Sequence, residues 1–561
     1  MSEIQSAPPM SQPPLPLQGE ERHRSRLRRR SMVALLATLV CFAAIAGQLV
    51  RLAARAPPEI RVAMAEPLAR TFARPDIVDR AGRLIAADVA VHSLYADPLL
   101  ILDLDETLEK LGPTLPGLDT ADLKKSLADQ SRRFVWVARG LSPRQAQRVH
   151  DLGLPGLAFR TELKRAYPLG ALAGHLIGTV NTDNKGLAGL ERMLDETGRV
   201  EAVQGPGRVP PEPVRLSLDV GVQHALAEEL KQASLRYSAS GAAGLVLDAN
   251  SGEVLAAVSL PQADPSRPAD WLDPALADRL AGGTFELGSI FKALTVAQAL
   301  ESGSADLERV LDVRQPLTVG TYTIKDLHPQ GRPLTVREVF LHSSNVGAGM
   351  LALEAGAERQ RAFLGQFGLT EPMRWEAGPV ATPQLPKNWG RIEAVTIGYG
   401  HGLALAPLQF AAGMAALVNG GARVTPTLMA RSDDGGARLR VVSEATSAKL
   451  REIMRLNVTN PHGTGRRAEA EGYRVGGKTG TAEMPGRGGY QEKSVISSFV
   501  GAFPMDAPRY VVLVMLFEPR TGDTGGDHIT AGLNAAPATA RVVERIAPLL
   551  AVLPRRLDAR M

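Results

Sequence analysis

Gly288-Ser289-Ile290-Phe291-Lys292-Ala293-Leu294-Thr295-Val296-Ala297-Gln298-Ala299-Leu300 is the stretch on which the reading of this chain turns. It reads as an apolar helix opening after Gly282-Gly283, and positions i and i+3 of a helix share a face, so the side chains of Ser289 and Lys292 meet. Nowhere else in the 561 residues does a lysine follow a serine by three positions. A serine hydroxyl becomes a useful nucleophile when a base removes its proton, and a lysine is that base only with a pKa far below its solution value. Arginine cannot do this. The chain holds 52 arginines and 12 lysines, so where bare positive charge suffices it uses arginine, and a lysine at 292 reads as a chemical requirement.

Around that stretch the composition sets bounds. A chain of 561 residues is too long for one ordinary core and implies two or three domains. Hydrophobic content of 44% with 22% charge is that of a folded protein. The single cysteine, Cys41, leaves no intrachain disulfide and no cysteine metal cluster. The histidines show no metal-ligand spacing, so no metal site is expected and each reads first as structural or solvated; His342 and His401, beside the motifs discussed below, are the two that could line a cleft. A net charge of +5 would suggest nucleic acid were it spread over the fold. Six arginines against Glu3, Glu20 and Glu21 lie within residues 1–31, the remainder is nearly balanced, and no nucleic-acid partner is expected.

Those arginines precede an uncharged apolar run over residues 32–50. At about 1.5 Å per residue it can cross a bilayer. Arg22, Arg24, Arg26, Arg28, Arg29 and Arg30 place residues 1–31, read as a disordered basic tail, in the cytoplasm and the rest across the inner membrane, a single-pass type II arrangement. A cleaved signal peptide competes, because Ala44-Ile45-Ala46 fits a small-x-small site, but the run is longer than a usual signal core. Cys41 lacks the preceding small residues of a lipoprotein site.

Residues 51–213 mix short strands, helices and proline connections, and the prolines at 206, 210 and 211 read as a boundary. From 214 the pattern changes to a strand at 214–218, a helix over 222–234, and a hairpin whose tip is Ala249-Asn250-Ser251-Gly252. Helices follow, then strands over 494–503 and 509–517, and a last helix over 535–550 before a tail at 552–561. Strands at both ends with helices between predict an α+β domain over 214–551 whose sheet is assembled from distant segments.

Two further short motifs fall in that domain. Ser343-Ser344-Asn345 is read as a connection between a helix over 336–341 and one over 348–354, and Lys478-Thr479-Gly480-Thr481 as a strand whose nearby glycines, Gly476 and Gly477, admit a ligand backbone. Singly each is weak; a serine before asparagine is often a cap or turn residue. Together they suit acyl transfer. A second ammonium at Lys478 depresses the pKa of Lys292, as does a helix N-terminus. The Ser289 N–H and one from the 478–481 strand suit an oxyanion. Ser343 suits a proton relay, Asn345 a substrate amide, and Lys478, Thr479 and Thr481 a terminal carboxylate.

The ordered set SxxK, SxN, KTG is that of serine β-lactamases and penicillin-binding proteins, and over most of residues 60–550 the chain resembles the class B penicillin-binding proteins. Arg74-Pro75-Asp76, Arg165-Ala166-Tyr167-Pro168, His175-Leu176-Ile177-Gly178 and Gly186-Leu187-Ala188-Gly189-Leu190-Glu191 are similar to that family's pedestal, and Gly398-Tyr399-Gly400 to its septal, FtsI-like branch. Leu287 stands where many relatives have proline. The resemblance implies a transmembrane helix, a pedestal domain and a transpeptidase domain with an antiparallel sheet flanked by helices. It implies peptidoglycan D,D-transpeptidation without a metal or organic cofactor: a stem peptide ending in D-Ala-D-Ala acylates Ser289, and an amine on a neighbouring stem takes the acyl group. Ser289, Lys292, Ser343, Asn345 and Lys478 would be catalytic, and Thr479, Gly480 and Thr481 substrate-binding. β-Lactams would trap Ser289, and partners would include an FtsW-like polytopic glycosyltransferase and small division proteins at the septum. An elongation-specific transpeptidase is the nearer alternative. A β-lactamase would need a deacylating glutamate in a Glu-x-x-Leu-Asn loop, absent between the second and third motifs, and a β-lactam sensor would need more than 31 residues on its cytoplasmic side.

Overall fold

The computed structural model describes residues 18–54, 71–203, 211–431, 438–486, 489–520 and 530–555. It divides into two units, Met1–Arg70 and Thr71–Met561. The first contains one long helix, α1 (Gln18–Ala54), in which Arg29–Arg51 is long and apolar enough to cross a membrane. Here the sequence reading needs correction: residues 18–31 of the expected disordered tail are helical. From Glu20 to Ala46 the chain has neither glycine nor proline, its Glu and Arg residues are good helix formers, and a nucleated apolar helix propagates into such a flank at little cost. The rest of that expected tail, 1–17, lies outside the described residues, as do Pro206, Pro210 and most of the C-terminal tail.

The second unit begins with a pedestal sheet. Its long strand β1 (Leu84–Ala96) pairs antiparallel with β2 (Val135–Leu141) and β3 (Leu157–Ala166). Ile77–Val78 also pairs with β1, and on its other side takes Val214–Arg215 in parallel. The next residue, Leu216, bridges to Met429. The expected boundary after residue 213 therefore falls on a segment that serves both halves.

The pedestal motifs converge on the helix α2 (Gly189–Glu196), where Glu191 receives Arg74 Nε and Arg165 Nε, each at 2.6 Å, with all three side chains fully buried. Asp195 and Asp88 complete the cluster, at 3.1 Å from Arg74 and 3.3 Å from Arg165. Buried ions are tolerable only when paired and hydrogen-bonded, and this cluster ties β1, β3 and α2 into one block.

The larger part runs through α3 (Val220–Arg236), β4 (Gly241–Asp248), β5 (Val254–Leu260), α4 (Lys292–Glu301), α5 (Val336–Leu341), α6 (Asn345–Ala355), α7 (Pro407–Val418), α8 (Glu444–Thr459), β6 (Gly476–Gly486), β7 (Gly489–Phe503), β8 (Tyr510–Phe517) and α9 (Ala535–Leu549). The five strands form one antiparallel sheet in the order β6-β7-β8-β4-β5. Strand β8 is buried along its whole length because successive side chains enter different cores. Val511, Leu513, Met515 and Phe517 join the core of α4 and α7, while Tyr510, Val512, Val514 and Leu516 join that of α3 and α9. A strand covered on both faces reads as a continuous apolar run. The hairpin, the late strands and the final helix expected from sequence all exist, with ends shifted by a few residues.

Glu191→Ala leaves two arginine charges buried without their carboxylate. Denaturant unfolding of the detergent-solubilised chain is expected to show a loss of about 3–5 kcal/mol.

Candidate active site

Ser289 is not on the α-helix but one turn before it. Phe285–Glu286 pairs with Ala404–Leu405, a 3-10 turn covers Gly288–Phe291, and α4 begins at Lys292. The helix expected directly after Gly283 starts later because Gly288, at φ +57°, turns the chain and donates its N–H to Gly400 O at 3.1 Å. A Cβ on Gly400 would stand 1.9 Å from Gly288 O, so the two glycines set the approach. In a 3-10 turn residues i and i+3 eclipse, and Lys292 Nζ lies 3.0 Å from Ser289 Oγ.

The second motif also differs from its expected form. Asn345 opens α6 instead of lying in a loop, and Ser344 is the N-cap, its hydroxyl accepting from Gly347 N at 2.9 Å. Ser343 precedes the cap in a left-handed conformation, φ 58°, which costs a non-glycine residue about 1–3 kcal/mol. That turn faces both its polar groups to Lys292: Nζ is 2.5 Å from Ser343 O, 3.1 Å from Ser343 Oγ and 2.7 Å from Asn345 Oδ1. Asp326, unmarked by any motif, holds the turn by accepting from Ser344 Oγ at 2.7 Å and Val346 N at 2.9 Å.

Lysine 292 is fully buried. Burial first, and the neighbouring Lys478 ammonium second, hold its pKa well below the ordinary lysine value, with Asp326 opposing them. A neutral amine has two N–H donors and one lone pair. Ser343 O and Asn345 Oδ1 take the donors, and the lone pair is left for a hydroxyl proton from Ser289 or Ser343. The arrangement can therefore withdraw a proton from one hydroxyl and return it to the other.

Lys478 lies on β6, buried as deeply, and desolvation brings its pKa down to about 7. Its Nζ donates to Thr464 Oγ1 at 3.3 Å and Thr479 O at 3.2 Å. Thr479 Oγ1 donates to the same Thr464 hydroxyl at 2.8 Å. Thr464 in turn is fixed by Asn457 at the end of α8: Asn457 Oδ1 accepts from Thr464 N at 3.1 Å, and Asn457 Nδ2 donates to Gly477 O at 2.9 Å. Thr481 Oγ1 accepts from Ala531 N at 3.1 Å. Asp326, Asn457 and Thr464 escape a reading of the sequence because their partners are brought to them only by the fold, at spacings that follow no residue pattern.

The glycines of β6 serve another purpose than the one read from sequence. A Cβ on Gly480 would meet Leu287 O at 2.8 Å and Ile290 Cγ2 at 2.9 Å; on Gly477 it would meet Val500 O at 2.4 Å; on Gly476, Met505 Cε at 2.4 Å. What they admit is the protein itself: Gly480 the Ser289 turn, Gly477 the neighbouring strand β7, and Gly476 the Met505 side chain and the backbone of α8. β6 remains the outermost strand of its sheet, so a peptide can still pair along its edge. The cleft beside it, about 510 Å³, is lined by Ser289, Ser343, Asn345, Thr479 and Thr481, and by His342 and His401, as expected of both histidines.

Comparison with known proteins agrees with this geometry. The penicillin binding protein transpeptidase domain family matches residues 242–537, and the penicillin-binding protein dimerisation domain family matches 71–199. The chain is 41% identical over 490 residues to the probable peptidoglycan D,D-transpeptidase FtsI of Caulobacter vibrioides, covering 86% of this chain and 82% of the relative. It is 28% identical over 494 residues to the peptidoglycan D,D-transpeptidase FtsI of Escherichia coli, covering 82% of each. A crystal structure of penicillin binding protein 3 from Mycobacterium tuberculosis, complexed with aztreonam, superposes with TM-score 0.67 at 25% identity, covering 87% of this chain and 98% of that one.

The depressed Lys478 pKa makes stability depend on pH. The unfolded chain keeps that proton to about 10.4 while the folded one releases it at about 7, so unfolding takes up a proton in between and stability rises with pH across that window. Lys478→Met is expected to flatten that rise in thermal melts recorded from pH 7 to 10.

Proposed function

Because the chain belongs to the FtsI-like class B penicillin-binding proteins, serine-type peptidoglycan D,D-transpeptidases, we propose that Ser289 is its acyl-accepting nucleophile and that it cross-links stem peptides in septal wall synthesis. The observation that carries the first part is the 3.0 Å contact of Ser289 Oγ with a buried lysine amine whose two N–H groups have other acceptors.

In this reading neutral Lys292 takes the hydroxyl proton as Ser289 Oγ attacks the carbonyl of the penultimate D-Ala. The N–H of Ser289 and one from β6 hold the oxyanion. The proton passes from Lys292 through Ser343 to the leaving nitrogen, the C–N bond breaks, and the terminal D-Ala departs as an amine. An acceptor amine then attacks the ester, its proton returns along the same path, and Ser289 is regenerated. Thr479 and Thr481 receive the terminal carboxylate, and its negative charge favours the protonated form of Lys478 behind them. The main chain of Gly480 pairs with the peptide along the open edge, and the Asn345 amide donates to a substrate carbonyl. A β-lactam presents the same carbonyl in a ring and is held at Ser289 as the ester.

The septal assignment is supported by the FtsI-type relatives and by Gly398-Tyr399-Gly400, whose last residue packs on the Ser289 turn. An FtsW-like glycosyltransferase and small division proteins are the partners that follow from it. The apolar span of α1, with its arginines on the N-terminal side, fits an inner-membrane anchor with the cleft in the periplasm.

Fluorescent penicillin is expected to label the wild type and not Ser289→Ala; equal labelling would sink the mechanism. Lys292→Arg, permanently charged, is expected to slow acylation by ~10²–10⁴-fold and to lose the increase with pH that accompanies deprotonation of Lys292. A fluorescent fusion that follows the side wall and not midcell would reassign the enzyme to elongation.

A further inference from the structure

The cleft is more basic than one terminal carboxylate requires. Among the described residues its lining includes the cations Arg466 and Arg467, while its one acidic member there, Asp326, is engaged by Ser344 Oγ and Val346 N. Arg309, Arg314, Arg332, Arg337 and Arg455 each reach a carboxylate, whereas among the described residues neither Arg466 nor Arg467 has an ion-pair partner, and both are exposed.

Their position is also fixed. They begin the short turn Arg466–Ala468, which follows Thr464, the residue that braces Thr479 and Lys478. The turn is pinned by Ala468, fully buried in the core shared by α3 and α9, and by its N–H on Gly465 O at 2.8 Å. Two guanidinium groups are thus carried on a rigid support at the wall of the cleft, close to the strand that receives the peptide. On the apolar side of the same cleft Leu327 is 78% exposed, a surface for aliphatic side-chain carbons.

We propose that Arg466 and Arg467 form a second anion subsite that selects donor peptides bearing a free side-chain carboxylate upstream of the scissile bond, over the same peptides with that group amidated. Arginine suits the role because its planar fork pairs with a carboxylate through two parallel hydrogen bonds. The inference rests on the reading of this cleft as the donor site of a transpeptidase.

The test compares two synthetic peptides ending in D-Ala-D-Ala, identical except that one carries a side-chain carboxylate and the other its amide, with the full-length enzyme in detergent. D-Ala release is the readout. The wild type is expected to favour the carboxylate peptide by about tenfold or more in kcat/KM, the difference lying in KM. In R466Q/R467Q the ratio falls toward one, and in R466E/R467E it inverts; penicillin labelling of each variant reports whether it has folded. A wild type that treats both peptides alike, or a ratio that survives in both double variants, overturns the proposal. Should the wild type neither release D-Ala nor take up penicillin at Ser289, the donor-site reading itself fails, an outcome distinct from D-Ala release without preference.

Discussion

Two lysine side chains are buried in one site without a contacting carboxylate, and the rest of the catalytic half is organised around keeping them there. Water would solvate both ammonium groups at no cost; a dry cavity charges heavily for each, and their mutual repulsion adds to it. The site resolves this by letting protons go. Lys292 is surrounded by oxygens that do not carry full charge, Ser343 O, Ser343 Oγ and Asn345 Oδ1, while the one carboxylate that would restore its proton, Asp326, is occupied with Ser344 and Val346. Lys478 is met by Thr464 and by the backbone of Thr479. Had either lysine an aspartate for a partner, it would be a stable ion pair and a poor base.

Excluding water requires close packing, and close packing explains the glycines. Gly288 lies against Gly400 on one side and against the β6 backbone on the other, and Gly480 lies against Leu287 and Ile290. Three segments separated by up to about 190 positions of chain meet at distances where a methyl group does not fit. The sheet and the helices α4 and α7 supply the rigid frame for this, with an unbroken apolar core beneath the Ser289 turn.

Much of this was legible in sequence because it rests on patterns. The Ser289–Lys292 spacing, the two late strands and the final helix announce themselves by period and composition, though not that the second of those strands is buried on both faces. What was not legible rests on tertiary geometry. The start of α4 at Lys292 depends on Gly400, more than a hundred residues away; the left-handed turn of Ser343 that faces Lys292 depends on where α6 begins; and Thr464 matters only once β6 has been laid beside α8. The helical extension of α1 to Gln18 shows the converse: from Gln18 on, local propensity was sufficient, and the reading of a disordered tail ran on past the proline- and glutamine-rich start into a segment able to form helix. For the pedestal, the sequence pointed to its motifs, but their purpose as a buried ionic knot around Glu191 became visible only when α2 met β1 and β3.

The place of β6 at the end of its sheet bears on how this enzyme can change. A ligand that pairs with an outer strand is gripped by amide and carbonyl groups, which every residue except proline supplies alike. Exchange of side chains along β6 leaves that grip in place, while proline there would forfeit a donor and the strand's own ladder together. Heritable loosening of the grip must therefore come from displacement of the whole strand, through the residues that prop it from behind. Asn457, Thr464 and the core under Gly476 and Gly477 are such props, and variation at them would alter the fit of every peptide-shaped ligand at once, the physiological one included.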